Sequence, residues 1–414
     1  MNKWLALAAA ACVAAPASAE TLREAIAAAY DGNPRLAAAR ARQEALAESP
    51  EQARALARPT LSVSGGGGYD RLGYGGAGSA AASGALPIWT GGRVRSAVRA
   101  ADADVAAGAE GLRDTEAAIL QSVVGAYADL LYNQQAVAVA RVGIERLDHQ
   151  VAEARSRFGL GQATRTDVAQ LEAQRASVVA NLADAEGALA TAAAAYRAIV
   201  GSDAQALSGE IAPPAALPAT RDAARTAAEA ANPLLRQQRR VVEAAAARID
   251  QARAERAPAV DLTGGYGRGL RFDDGTRGYE TAASVGVSLR LPLLTGGLVP
   301  SRVRQAEATR RAEAFQADAA EREAIRAADA AWAALTAAEA RLKASADGLA
   351  AADLALQGVR AEYGFGLRST IDILVADQSF RSAQLALAAA RADTLVAQAA
   401  LLRATGRLGR GAYG

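Results

Sequence analysis

Val94, Val98, Ala101, Val105, Leu112, Ile119, Val123, Ala126 and Leu130 recur at steps of three, four or seven, with polar side chains between them. That period puts them on one stripe of an α-helix. The pattern runs without a breaker from Arg93 to Arg157 and ends at Gly159 and Gly161, and a further helix fills about Thr166–Val200. Upstream, Thr21-Leu22-Arg23-Glu24 reads as a capping box opening a short helix that stops at Asp31-Gly32. Asn33 then caps, and Pro34 starts, a helix running to about Ala57, with a kink expected at Pro50. At 1.5 Å per residue the Arg93–Arg157 helix is roughly 100 Å long, and the two shorter ones laid end to end reach roughly 90 Å. No globular core is that deep, so lateral coiled-coil packing is expected, with alanine-rich faces allowing close approach.

Between the helices the period changes to two. Val285-Gly286-Val287-Ser288-Leu289-Arg290-Leu291 alternates apolar with small or polar residues, and so does Val260-Asp261-Leu262-Thr263. The earlier counterparts are weaker: Leu61, Val63, then Ala85-Leu86-Pro87-Ile88-Trp89. Prolines 59, 87, 258 and 292 stand where the chain must swing between helix and strand.

The whole construction occurs twice. Asn33-Pro34 and Pro59 recur as Asn232-Pro233 and Pro258 at an offset of 199. Pro87, Thr90-Gly91-Gly92, Asp167 and Gly201 recur as Pro292, Thr295-Gly296-Gly297, Asp372 and Gly406 at 205. The offset changes only inside the Gly-rich segment, which locates six extra residues of the second copy in a loop tip. The expected organisation is residues 20–201 and 220–406 as repeats, each with one β-hairpin (about 60–88 and 259–293), a Pro-rich linker at 202–219 and a tail at 407–414. Four strands cannot close a barrel, and their open edges invite aggregation. An apolar-faced sheet of this kind is most economically closed by oligomerisation in a membrane, and three chains give twelve strands.

Composition adds exclusions. Asn2-Lys3, the apolar Trp4–Ala15 and Ala17-Ser18-Ala19 form an export signal over residues 1–19, leaving Glu20 first in the mature chain. Cys12, the single cysteine, departs with it. A lipoprotein reading of Ala10-Ala11-Cys12 is the alternative, disfavoured by Ala9 where a Leu-like side chain is usual. The formal charge of +2 gives no field to steer nucleic acid. Charges break every later apolar run well short of eighteen residues, so no membrane-spanning helix is expected. His149, the sole histidine, has no Cys or His partner for a metal and no triad, and Gly73-Tyr74-Gly75-Gly76-Ala77-Gly78 fits G-x-G-x-x-G without a βαβ context. No catalytic, cofactor or metal site is expected.

The duplicated Asn-Pro starts, the Pro-bounded hairpins followed by Thr-Gly-Gly, and the paired Phe158-Gly159-Leu160-Gly161…Thr166-Asp167-Val168 and Tyr363-Gly364-Phe365-Gly366…Ile371-Asp372-Ile373 share one order and offset. In this the chain resembles the TolC family of bacterial outer-membrane efflux proteins over essentially its whole mature length. The resemblance implies a mixed, mostly α-helical fold and a homotrimer. Its twelve-stranded barrel would lie in outer-membrane lipid and continue into a helical tunnel across the periplasm. It implies partners too, an inner-membrane transporter acting through a periplasmic adaptor. It places Asp167 and Asp372 on the inner rim of the tunnel mouth as a cation-attracting constriction. Both acids also complete capping boxes, Thr164-Arg165-Thr166-Asp167 and Ser369-Thr370-Ile371-Asp372, and the two roles are compatible. Some relatives carry a second acid three positions later; here those positions are Gln170 and Val375, which implies a weaker ring.

Gly159, Leu160, Gly161, Gly364, Phe365 and Gly366 read either as adaptor-contact turns or as plain helix C-caps at positive φ. Trp89 fits a membrane-interface anchor or a residue buried at the barrel–tunnel joint, and Trp332 fits core packing. A periplasmic coiled-coil adaptor and a structural envelope spacer are the rival readings of long exported hairpins. The extra residues around Leu270-Arg271-Phe272-Asp273-Asp274-Gly275 should form an extracellular hairpin tip. An epitope inserted at Asp274 should therefore label on intact cells without loss of export, and labelling only after outer-membrane permeabilisation would contradict that placement.

Overall fold

The computed structural model describes residues 19–70, 75–204, 207–209, 211, 214, 216–273 and 276–413. The expected signal peptide with Cys12, Gly73-Tyr74 and the Asp274-Gly275 tip lie outside the described residues. Along the chain run α1 (Leu22–Gly32), α2 (Pro34–Ala47), α3 (Ser49–Ala55), β1 (Thr60–Asp70), β2 (Gly75–Trp89), α4 (Arg93–Gly159) and α5 (Arg165–Val200). After the linker come α6 (Arg221–Ala231), α7 (Pro233–Ala254), β3 (Ala259–Asp273), β4 (Thr276–Arg290), α8 (Leu298–Gly364) and α9 (Thr370–Ala404). The long helices of the two copies have equal length, 67 residues each. Pro50 interrupts its helix, splitting α2 from α3 at Glu48, while Ile249 at the matching place leaves α7 unbroken. Thr21 and Glu24 form the expected box: the Thr21 amide donates to Glu24 Oε2 at 2.8 Å.

The chain resolves into two compact units. One comprises Ala38–Asp114 and Glu229–Ala324 and holds the sheet; the other comprises Met1–Ala37, Thr115–Ala228 and Ile325–Gly414. In the first, all four strands are antiparallel in the order β1-β2-β3-β4, so the two hairpins pair directly through β2 and β3. Directly opposed residues share a face. The registers Val63↔Ala82, Leu86↔Leu262, Tyr266↔Ala82, Leu262↔Val287 and Val260↔Leu289 therefore gather Leu61, Val63, Leu86, Val260, Leu262, Tyr266, Val285, Val287 and Leu289 on one side. Ser62, Ser83, Asp261, Thr263, Ser284 and Ser288 take the other. Leu61, Val63, Val285, Val287 and Leu289 are all exposed. Where β2 ends, Thr90-Gly91-Gly92 reverses the chain with Gly91 at φ +61°, and a Cβ there would collide with Ala257.

The second unit carries the densest core. Leu120, Val123, Val124, Tyr127 and Leu130 of α4 pack with Leu22 and Ile26 of α1, Tyr196 and Val200 of α5, and Leu395, Ala399 and Leu402 of α9. The tail closes over it, with Leu408 and Tyr413 buried. Burial lifts the Tyr413 hydroxyl well above the ordinary phenol range. Tyr127, fully buried, directs its hydroxyl at the carbonyls of Glu20 (2.9 Å) and Ser208 (2.8 Å), and burial pushes its pKa up to about 12. Tyr196 donates to the Glu20 carboxylate at 2.8 Å. The first residues of the expected mature chain are thus held against the linker.

α9 is, by length and composition, a helix able to cross a membrane. Charges at Asp377, Arg381, Arg391, Asp393 and Arg403 nevertheless interrupt its apolar runs as expected, and Leu395, Leu401 and Leu402 are buried against protein, so its apolar composition serves the core. Trp332 of α8 is half-buried against Ala331 and Leu335. Truncating Leu402, which is fully buried, leaves a cavity that α4 and α1 cannot fill. Leu402→Ala should cost about 2–5 kcal/mol, read as an earlier thermal unfolding of that unit.

Candidate functional site: the paired helical turns

In the core-bearing unit, two turns reverse the chain, α4 into α5 and α8 into α9. Each closes as a Schellman motif. Gln162 N donates to Arg157 O (2.8 Å) and Gly161 N to Phe158 O (3.0 Å); in the second copy Leu367 N donates to Glu362 O (3.0 Å) and Gly366 N to Tyr363 O (2.9 Å). Gly161 and Gly366 both sit at φ +74°, the left-handed conformation the motif needs. Gly159 and Gly364 differ: they are the last helical residues, without positive φ, and a Cβ on either would meet nothing within 4 Å. The cap reading therefore fails for that pair, since the left-handed residue comes two positions later. Phe158, Leu160, Phe365 and Leu367 stand exposed around the turns, Phe365 at 83 %.

Each following helix is opened by a carboxylate. Asp167 Oδ2 accepts from Thr164 N (2.9 Å) and Thr164 Oγ1 (2.7 Å), while Asp167 N donates back to Thr164 Oγ1 (3.1 Å). Asp372 Oδ2 accepts from Ser369 N (2.9 Å) and Ser369 Oγ (2.8 Å). These hydrogen bonds favour the ionised form, so both pKa values lie below the ordinary carboxylate range. At Asp167 the Thr164 hydroxyl leads, then its amide, with Thr370 of the other turn adding to it; at Asp372 the Ser369 amide leads, then its hydroxyl, then the Arg368 charge. The two copies meet here: Thr370 lies beside Asp167, and the Arg157 guanidinium stacks over Tyr363 with its carbon 4.9 Å from the ring centre.

Sequence reasoning missed one group. Asp377, five residues beyond Asp372 on α9, is fully buried. Arg381 Nε donates to its Oδ2 at 2.9 Å, while Arg360 of α8 and Arg146 of α4 approach Oδ1 at 3.5 and 3.8 Å. A signal existed: Ile373, Leu374, Asp377 and Phe380 fall at helical spacing, so the acid stands in an apolar stripe with Arg381 at i+4. His149 is exposed on α4. In the sheet unit, Trp89 ends β2 beyond an irregularity at Pro87, faces Val260 and is 58 % exposed.

A duplicated pair of long helical hairpins with carboxylate-capped turns is thus joined in sequence to a four-stranded sheet with one apolar face. The sequence profile described as Outer membrane efflux protein matches residues 25–202 and 224–407, and the chain belongs to that family. It is 34 % identical over 324 residues to the outer membrane efflux protein BepC of Brucella suis biovar 1, covering 78 % of this chain and 70 % of that one. To the alkaline protease secretion protein AprF of Pseudomonas aeruginosa it is 27 % identical over 299 residues, 70 % of this chain and 62 % of the other. The crystal structure of the outer membrane protein VceC of Vibrio cholerae has the same fold, with a TM-score of 0.74 at 23 % identity over 95 % of this chain and 97 % of that one. The family consists of channel proteins of the outer membrane whose helical part reaches into the periplasm.

Because both pKa values are lowered in the folded chain, the capping contribution is present above the ordinary carboxylate pKa and is lost as pH falls through the lowered value. Asp167→Asn with Asp372→Asn should abolish that acid-side loss and lower the melting temperature by a few degrees at neutral pH, on the order expected for two exposed caps. Melting followed from pH 7 to pH 3 checks it: an acid-side slope like the parent's would show that other carboxylates control it.

Proposed function

We propose that three copies of this chain assemble into a channel that carries substrates from the periplasm to the exterior. The carrying observation is the sheet: four strands in one antiparallel layer, β1 and β4 each with a single neighbour, and one face apolar. Unpaired edge amides are untenable in lipid, and closure is the remedy. Three sheets of four strands make a twelve-stranded barrel, with Trp89 at the strand end serving as an interface anchor.

The same assembly gives the turns a role. Asp167 and Asp372, two carboxylates per chain, become six around one axis, a constriction that favours cations. Their low pKa values keep them charged across the physiological range. Gly159, Leu160, Gly161, Gly364, Phe365 and Gly366 form the surface offered to a periplasmic adaptor, through which an inner-membrane transporter delivers substrate. Exposed Leu160 and Phe365 are unusual on a solvated tip and suit such a contact. This reading covers both tripartite efflux and type I secretion, and it involves no catalysis and no nucleic acid. The name of the AprF relative speaks for secretion in that protein.

Native mass spectrometry in detergent should find a trimer and no folded monomer. In planar bilayers the trimer should conduct with cation preference, and the Asp167→Asn, Asp372→Asn double variant should lose that preference and its block by multivalent cations. A well-folded monomer with protected strands, or a trimer that does not conduct, would overturn the proposal.

A further inference from the structure

Behind the turns, the last windings of α4 and α8 border a half-open cavity of about 380 Å³, with α5 and α9 contributing to its wall and Glu153 and His149 of α4 at its lining. Arg146, Gln150 and Arg157 reach it from α4, and Arg360 and Tyr363 from α8. Its charges do not balance. Arg157 is held by Glu153 at 2.6 Å. Arg146 and Arg360 make no hydrogen bond among the described residues, and their only ionic neighbour is Asp377, at 3.8 and 3.5 Å. That carboxylate is already bonded to Arg381 at 2.9 Å. Four guanidiniums therefore answer two carboxylates, leaving two formal positive charges beside the cavity.

Two further observations point inward. Gln150 Oε1, in the cavity wall, is buried with no hydrogen-bond partner. Turning that amide by 180° presents an NH₂ donor in the same place. Arg146 is also stacked over Phe380, its guanidinium carbon 5.4 Å from the ring centre, which holds its plane in one orientation. Planar guanidiniums fixed on two helices beside an amide donor match the donor set that recognises an oxyanion through charge-assisted hydrogen bonds.

We propose that this cavity binds a small oxyanion of the phosphate or sulfate class between Arg146 of α4 and Arg360 of α8. The bound anion supplies the negative charge that Asp377 alone does not, and it cross-links a helix of the first repeat to one of the second. Arg157, stacked on Tyr363 and engaged with Glu153, borders the site without being released to it. The site stands apart from the channel reading, since binding belongs to the purified protein whatever it conducts.

The test uses full-length protein in detergent, titrated with inorganic phosphate at constant ionic strength, with chloride as the reference. Isothermal titration should give saturable binding, and phosphate should raise the melting temperature above the chloride value. Arg146→Gln and Arg360→Gln should each weaken binding at least about tenfold, as expected for removing one charged hydrogen bond. Arg341→Gln, which removes an exposed pair with Asp393, should leave it unchanged. Melting in chloride shows that each variant is folded, and Arg146→Lys, which keeps the charge without the fork, should bind between the parent and Arg146→Gln. Equal response to phosphate and chloride, or parent-like titration of both glutamine variants, would mean that the cavity holds water alone and would overturn the proposal.

Discussion

Edge hydrogen bonding governs this protein more than any single contact. β1 and β4 each present a row of backbone groups without a partner in the described chain, and the face between them is apolar. In water such a sheet would pair indiscriminately; in lipid its unpaired amides would each cost several kcal/mol. Closure into a ring is the arrangement that would satisfy both edges at once. Glycine and alanine throughout β1 and β2 keep both sides of that half of the sheet thin.

The helices face a different constraint. Alanine dominates their contacts, as in the cluster of Ala224, Ala331, Ala338, Ala397 and Ala404 around Leu335 and Leu401. Small side chains give little burial per residue but let backbones come close over a long seam, so the stabilisation is distributed. The large residues are concentrated instead around Tyr127 and Tyr196, where Glu20, the linker and the tail converge. Ion pairs add tethers between segments: Asp329 accepts from both Arg221 and Arg225 at 2.7–3.0 Å, and those two guanidiniums, Arg225 first, hold its carboxyl well below the usual range. The exposure of Arg221 and Arg225 makes this a device for register more than for stability.

Much of this was legible in the chain. The 3-4 spacing from Val94 to Leu130 marks α4 because a long helix cannot hide its period, and Thr164 and Asp167 announce a cap because their chemistry is local. The extent of β1 and β2 was harder to read: Gly65–Gly68 and Gly75–Ala82 carry no alternation, and only the ladders of β1 with β2 and of β2 with β3 keep them extended. Asp377 went unread for the opposite reason. Its i+4 pair with Arg381 looks like ordinary surface decoration, and its meaning lies in Arg146 and Arg360, 231 and 17 residues away in sequence.

The sequence by itself determined the duplication, the long helices and the capping boxes, because each rests on interactions spanning a few residues or on comparison of one half with the other. It also gave the strand count, four strands in two hairpins, since the hairpins are counted along the chain. Only the tertiary structure decided that α9 is a core helix despite its apolar composition, that Gly159 is helical while Gly161 turns, and that one carboxylate gathers three arginines. Those outcomes depend on what stands opposite each side chain, and burial and charge balance are properties of neighbours brought together from distant parts of the chain.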